Sequence, residues 1–342
     1  MKKAISVIMA LVVITAAFTS CGKKDLKERI SDVLTTDDST YLEEENSGED
    51  ESQSEALLEP AQKETQLEAE NFPLELIIKG ETGGNTPTGL SPLDLMTYPV
   101  KDAYNEKGLS TKKRSHSHGP ASGGQPHHTV VAFQDEFDKY DALTLDRKSK
   151  GKVLYLTFDC GYEYNNLTAN VLDTLKEKGV PATFFCTLDH IKKEEELITR
   201  MIKEGHIVGN HSANHPSYAE IDRTTMAIEI EETENYLREK YGYASKFFRF
   251  PKGEYTESAL DLVASLGYKT IFWSVAYNDW NTDKIQGKDY AVKTVTERLH
   301  DGAVILLHSV SQDNADALAE IIDKARSEGY EFKALTDYPF QN

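Results

Sequence analysis

The stretch "VLYLTFDCGYE", Val153 to Glu163, decides the fold and raises the first question about function. Its apolar run leads directly to Asp159, Cys160 and Gly161. An unbroken apolar run of this length predicts a strand that is buried on both faces, as in a parallel sheet. A carboxylate and a thiol are costly to bury, so their place at a strand end predicts a functional site. The alternative is that Asp159 caps a helix and Cys160 fills the core.

From Lys152 to the C-terminus, apolar strands alternate with amphipathic helices. Six further strands are predicted, at "ATFFCT", "HIVGN", "KFFRF", "YKTIFWSV", "AVILLH" and "YEFKAL". Helical patterns such as "LTANVLDTLKEKG" lie between them and often end at a glycine. This alternation predicts one α/β domain over residues 151–342, either a barrel or an open sheet with helices outside. In both arrangements ligands gather at the carboxyl ends of the strands.

The N-terminus predicts an export signal. A basic "MKK" precedes the apolar run "AISVIMALVVITAAF", and "FTSC" then ends at Cys21. This pattern predicts a signal peptide over residues 1–20. Small residues directly before a cysteine resemble the lipobox of bacterial lipoproteins. The resemblance implies diacylation of the Cys21 thiol and a lipid anchor on the outer face of the cell membrane; plain secretion is the alternative.

Residues 21–73 are rich in Glu, Asp, Ser and Gln, and they carry much of the formal net charge of −19. Such a composition predicts a disordered acidic linker, because it cannot bury enough apolar surface to offset the entropy of ordering. The acidity argues against nucleic acid as a partner. Residues 74–150 are predicted to be an N-terminal extension packing on the main domain, with a solvated loop at the Gly-, Ser- and His-rich stretch 112–128.

The predicted strand ends carry a set of ionisable and metal-binding side chains. In chain order these are Asp159, Cys160, His211, His215, Arg249, Asp279 and His308, with the aromatic Trp280 directly after Asp279. His211 and His215 are four residues apart, a spacing that allows both to bind one divalent ion such as Zn²⁺. The Asp159–Cys160 pair is the expected source of a third ligand, so the set predicts a catalytic metal site.

The motifs "TFDCG", "HSANH", "RFPKG", "NDW" and "LLH" resemble the five motifs of the polysaccharide deacetylases, the NodB homology domain of carbohydrate esterase family 4. The likeness spans residues 153–335 and is strongest to the delta-lactam-biosynthetic de-N-acetylases. It implies a distorted (β/α)7 barrel of NodB type. It also implies a metal-dependent hydrolase that removes acetyl groups from N-acetylmuramic acid of peptidoglycan, in muramic delta-lactam formation for the spore cortex.

The resemblance also implies catalytic roles by position. Asp159 is expected to be the general base, and Arg249 is expected to orient it. His308 is expected to be the general acid, with its charge sustained by Asp279. Trp280 is expected to wall the acetyl pocket.

His211 and His215 are expected to be metal ligands, and Cys160 stands where most of the family has a ligating Asp. Three alternatives stay open for Cys160: it ligates the metal, it is a bystander while the two histidines and water hold the metal, or it forms a disulfide with Cys186. Lys252 stands where an aromatic residue is usual. We expect it either to pair with the lactyl carboxylate of muramic acid or to be a solvated loop lysine.

Two further functions are compatible with the sequence. One is deacetylation of another glycan, such as a chitooligosaccharide or O-acetyl xylan. The other is glycan binding by a lipoprotein that has lost catalysis. The expected partners are the glycan strands of peptidoglycan and, through the lipid anchor alone, the membrane. The protein is expected to act as a monomer.

Overall fold

The computed structural model describes residues 75–341. The predicted signal peptide, the lipid-bearing Cys21 and the acidic linker 21–73 lie outside the described residues. In the described part, no helix is both long enough and apolar enough to cross a membrane.

The described chain alternates strands and helices. The strands are β1 Ile77–Lys79, β2 Arg114–Ser115, β3 Val153–Cys160, β4 Ala182–Cys186, β5 Ile207–Asn210, β6 Tyr243–Ser245, β7 Phe247–Phe248, β8 Glu254–Tyr255, β9 Lys269–Thr270, β10 Ala303–His308 and β11 Glu331–Phe332. The α-helices are α1 His128–Phe137, α2 Leu167–Lys178, α3 Leu188–Lys193, α4 Glu195–Lys203, α5 Arg223–Tyr241, α6 Glu257–Ser265, α7 Lys288–Thr296 and α8 Gln312–Ser327. Short 3₁₀ turns cover Asp138–Tyr140, Pro251–Gly253 and Leu335–Asp337.

Seven strands form one parallel sheet, in the order β10-β3-β4-β5-β7-β9, with β11 pairing with the start of β3. These are the seven strands that the sequence predicts. The predicted strand at "YKTIFWSV" is longer than β9, because the chain leaves β7 after Ile271 and bridges to β10 at Val275. This bridge brings the two edges of the sheet together, so the predicted α/β barrel is confirmed as a curled parallel sheet.

Strand β3 shows how the two faces of the sheet differ. Val153 and Tyr155 pack in the barrel interior with Phe185 and Phe247. The alternate side chains, Leu154, Leu156, Phe158 and Cys160, pack against the surrounding helices. Because successive side chains in a strand point to opposite faces, Asp159 faces the interior and Cys160 faces the helices.

The helices begin and end at residues suited to those positions. Asp222 caps α5 by accepting from Thr225 N at 2.9 Å, and Ser311 caps α8 by accepting from Asn314 N. Helix α5 ends at Gly242, whose φ of 59° is the left-handed conformation that glycine adopts without strain. The cap at Ser311 fixes the first turn of α8 beside the end of β10.

The segment before β3 pairs with two later strands outside the parallel sheet and also contacts that sheet directly. Strand β1 pairs with β6, β2 pairs with β8, and Leu143 N donates to Thr270 O of β9 at 2.8 Å. The prediction that stretch 112–128 is a solvated loop is wrong for part of it. His116 is buried among aromatic rings and packs on the ring of Phe272. Its Nε2 atom forms a hydrogen bond with Trp273 O at 2.7 Å.

Gly209 in β5 provides a test of the packing beneath the segment that carries His211 and His215. An added methyl group would lie 2.7 Å from the Phe185 ring, which is held by its neighbours. We expect Gly209→Ala to lower the free energy of unfolding by about 1–3 kcal/mol through overpacking. Denaturant unfolding measures this change.

Gly161→Ala is the matched control, since nothing lies within 4 Å of the position of an added methyl group there. Equal stability of the two variants would contradict the packing described for Phe185.

Candidate active site

The carboxyl ends of the parallel strands open into one cleft of about 1620 Å³. The predicted site residues that line it are Asp159, His211, His215, Lys252, Trp280 and His308. Arg249 and Asp279 lie behind this lining and contact Asp159 and His308, respectively. The structure therefore brings together all the predicted site residues except Cys160.

Asp159 is held by a fully buried guanidinium. Arg249 donates from Nη1 to Asp159 Oδ1 at 2.7 Å and from Nη2 to Thr157 Oγ1 at 2.9 Å. Its Nε donates to Ile271 O at 2.9 Å. Burial would raise the pKa of Asp159, but the charge of Arg249 and its hydrogen bond, together with the neighbouring His211 and His308, outweigh burial and hold that pKa below its ordinary value. Asp159 is therefore an ionised carboxylate aimed into the cleft.

His308 is held as a cation by a buried carboxylate. It lies opposite Asp159 in the β10–β3 register. Its Nδ1 donates to Asp279 Oδ1 at 2.8 Å, and its backbone N–H donates to Asp279 Oδ2 at 2.8 Å. Burial opposes the charge, but Asp279 raises the pKa of His308 to about 9. Asn314 also donates to Asp279 Oδ2, at 2.6 Å, which fixes the carboxylate.

His211 and His215 form a pair of neutral imidazoles. Their ring centroids are 4.9 Å apart. Burial lowers the pKa of His211, and burial is also the main reason that the pKa of His215 falls to about 4. His211 Nδ1 bonds to Arg249 O at 2.8 Å and so donates its proton there, which leaves the lone pair on Nε2. That Nε2 atom lies 3.7 Å from Asp159 Oδ2.

This pair fits a divalent metal ion. Metal-binding histidines are neutral, and the second ring nitrogen usually donates to a carbonyl, as His211 does here. Within residues 75–341, no further His, Cys, Asp or Glu joins His211 and His215 in a group whose ligand atoms all lie within 4.8 Å of one another. The alternative in which two histidines and water hold the ion therefore stays a prediction.

The structure does not assemble the predicted ligand set of Cys160, His211 and His215. The physical reason is strand alternation: Cys160 follows Asp159 directly, so its side chain lies on the helix-facing side of β3. Its Sγ atom lies instead in a buried group with Cys186 and His190. The alternative in which Cys160 forms a disulfide with Cys186 is also wrong, because both residues are free thiols.

The cleft rim contains one predicted cation and one predicted aromatic residue. Lys252 is exposed, with a left-handed φ of 59° in the turn after β7. Trp280 is 57% exposed. Both side chains are therefore accessible to a ligand.

Sequence reasoning missed several residues of the cleft wall. His118 and Trp273 line the cleft, and Trp273 Nε1 donates to His118 Nδ1 at 3.2 Å. Arg298 also lines it and donates to Ala276 O. The "SHSH" alternation was a usable signal, because two histidines two residues apart share one face of an extended chain.

The cleft has the groups that hydrolysis of an amide requires. Asp159 is an ionised base, and His308 is a protonated acid. His211 and His215 can hold a Lewis-acidic ion between them. Two titratable groups whose environments push their pKa values apart are typical of acid–base catalysis.

Comparisons with known proteins agree with this site. The family model "Polysaccharide deacetylase" matches residues 146–271. The chain is 41% identical over 234 residues to the peptidoglycan-N-acetylmuramic acid deacetylase PdaA of Bacillus subtilis, covering 67% of this chain and 84% of that protein. It is 35% identical over 184 residues to a peptidoglycan-N-acetylglucosamine deacetylase of Bacillus cereus, covering 53% of this chain and 66% of that protein.

Solved structures show the same fold. The structure of Bacillus subtilis PdaA, described as a family 4 carbohydrate esterase, matches with a TM-score of 0.63 and 37% identity, covering 67% of this chain and 98% of that one. A family 4 carbohydrate esterase from Bacillus anthracis matches with a TM-score of 0.54 and 36% identity, covering 67% and 97%. This chain therefore belongs to the polysaccharide deacetylase family, carbohydrate esterase family 4, and is a hydrolase acting on amide C–N bonds.

Proposed function

We propose that this protein is a metal-dependent de-N-acetylase that removes acetyl groups from N-acetylmuramic acid of peptidoglycan. The observation that carries the proposal is the placement of Asp159 and His308 opposite each other in one cleft, each with a buried partner of opposite charge. A base and an acid on either side of a bound amide are what its hydrolysis requires.

In the proposed mechanism, Asp159 accepts the proton of the attacking water. Arg249 keeps the carboxylate ionised and aimed, through a charge-assisted hydrogen bond. His308 then donates its Nε2 proton to the leaving amine, while Asp279 stabilises the imidazolium through Nδ1. After these two transfers Asp159 is protonated and His308 is neutral, and proton exchange with solvent restores both groups for the next turnover.

His211 and His215 would hold the metal, and Zn²⁺ is the ion we propose. When bound, such an ion polarises the amide carbonyl and makes water more acidic. The neutral state of both imidazoles and the hydrogen bond from His211 to Arg249 O support this assignment.

Two observations support a muramic substrate. The cleft is larger than the roughly 300–1,000 Å³ of most small-molecule sites, which suits a polymer. Lys252 places an exposed cation on its rim, where it can pair with the lactyl carboxylate that distinguishes muramic acid from glucosamine. The relative named as an N-acetylmuramic acid deacetylase, PdaA, agrees with this substrate.

The wider setting is part of the proposal. We propose that deacetylation prepares muramic delta-lactam formation in spore-cortex peptidoglycan, on the strength of the sequence resemblance. We also propose export, cleavage before Cys21 and lipid anchoring on the outer face of the membrane, because of the signal and lipobox pattern.

Changing Cys21 to Ser should then release the protein from the membrane fraction, and unchanged membrane retention would contradict the anchor.

Asp159→Asn tests the general base. The amide cannot accept the proton of water, so we expect kcat to fall by about 10²–10⁴-fold. Acetate release from peptidoglycan stripped of its peptides measures kcat. Asp189→Asn is the matched control, because Asp189 lines the same cleft but pairs with Lys193 at the surface. Near-wild-type turnover by a folded Asp159→Asn protein would remove Asp159 from this role.

Asp279→Asn tests the acid through its pH dependence. His308 has a raised pKa, so its protonated form persists up to pH about 9, and wild-type kcat should fall as the pH rises through that value. Without the carboxylate, burial dominates, and the fall should move to pH about 6.5 or lower.

Profiles of kcat against pH measure this shift. Asp283→Asn, at an exposed position in the loop after Trp280, should leave the profile unchanged. An unshifted profile for Asp279→Asn would show that the Asp279 carboxylate does not hold the proton on His308.

Lys252→Ala tests recognition of the muramic carboxylate. We expect KM on muramic substrates to rise by about 2–5-fold, as for a partly solvated ion pair, with kcat nearly unchanged. KM on N-acetylglucosamine oligomers should not change. Lys203→Ala, at an exposed position outside the cleft, is the control. Equal effects on both substrates would contradict the role of Lys252.

A further inference from the structure

A second group of potential metal ligands lies behind the cleft. Cys160 ends β3 and Cys186 ends β4, and the two residues are direct partners in the parallel register. His190 follows in the first turn of α3. One ligand atom from each of these three residues lies within 4.8 Å of the other two, and all three residues are buried.

His190 is the unusual member of this group. It is 1% exposed, and within residues 75–341 neither of its ring nitrogens has a hydrogen-bond partner. Two other buried histidines differ: His206 Nδ1 accepts from Ala182 N, and His300 Nδ1 bonds to Asp301 O. Leaving buried polar atoms unpaired costs about 1–3 kcal/mol each. A buried imidazole with two unpaired nitrogens beside two thiols therefore points to a missing ligand.

The charge and chemistry of the group suit a soft divalent ion. Two thiolates and one neutral imidazole would balance an ion of charge +2, so the complex would be neutral in its apolar surroundings. Two cysteines and a histidine are a donor set typical of Zn²⁺. The Ser309 hydroxyl, 3.3 Å from Cys160 Sγ, is an adjacent neutral oxygen.

The group adjoins the wall of the cleft along the chain. Gly161 and Thr187, the residues that follow Cys160 and Cys186, both line the cleft. Thr187 also caps α3, accepting from His190 N at 3.4 Å.

We propose that Cys160, Cys186 and His190 form a second zinc site, separate from the His211–His215 pair. Binding releases one proton from each thiol to solvent and forms bonds from both sulfurs and one imidazole nitrogen to the ion, with no change of oxidation state. The ion ties together the ends of β3 and β4 and the start of α3. It thereby fixes the strand end that carries Asp159.

Cobalt substitution of the full chain tests the proposal. The protein is stripped of metal under reducing conditions and titrated with Co²⁺, since thiolate–Co²⁺ bonds give a strong near-ultraviolet charge-transfer band. We expect the wild-type protein to develop this band and the band to persist in a His211→Ala/His215→Ala double variant. Cys186→Ser should lose it.

His190→Gln provides a second test variant if Cys186→Ser does not fold. We expect the thiolate–Co²⁺ band of His190→Gln to be lost or to require more Co²⁺ than that of the wild-type protein. His206→Gln, at another buried histidine, should keep the band. A folded wild-type protein that shows no thiolate band, or a band abolished by the His211→Ala/His215→Ala change, would overturn the proposal. Because the band is read without substrate, this outcome is independent of the proposed deacetylase activity.

Discussion

The ion pair between Arg249 and Asp159 is the interaction on which the site depends. The guanidinium is fully buried, and it also donates to Thr157, to Ile271 O and to Phe272 O. A buried charge is tolerated only when its partners satisfy it, and removing one partner of such a pair typically costs about 3–5 kcal/mol. Arg249 thus joins the ends of three strands across the barrel interior. Its own carbonyl oxygen orients His211, so one residue positions both the base and a proposed metal ligand.

The environments of these groups set three different protonation states within one cleft. Asp159 is kept anionic by Arg249, His211 and His215 are kept neutral by burial, and His308 is kept cationic by Asp279. In the proposed mechanism, the same residue type therefore serves as a metal ligand in one place and as an acid in another. What differs is the neighbour: a backbone carbonyl lies beside His211, whereas a carboxylate lies beside His308.

The sequence predicted the strands and the polar residues at their carboxyl ends, because both follow from the local pattern of apolar and polar residues. Apolar runs identify the buried strands, and parallel topology then collects Asp159, His211, Arg249 and His308 at one edge. The sequence analysis considered Cys160 as a metal ligand in the cleft. Alternation along β3 already indicates that Asp159 and Cys160 lie on opposite faces of the sheet. The sequence could not predict two contacts, that of His118 with Trp273 and that of Asn314 with Asp279. Each joins segments that are distant in sequence, and no periodic pattern indicates which residues meet.

The most direct test of the account is the position of bound zinc. Crystals grown with zinc can be measured at its absorption edge, and an anomalous difference map then locates the ion. The account predicts a peak bonded to the His211 and His215 imidazoles, on the side of the cleft that faces Asp159. A zinc-saturated crystal with no peak at these two histidines would contradict the proposed catalytic centre, whatever ion is found elsewhere in the molecule.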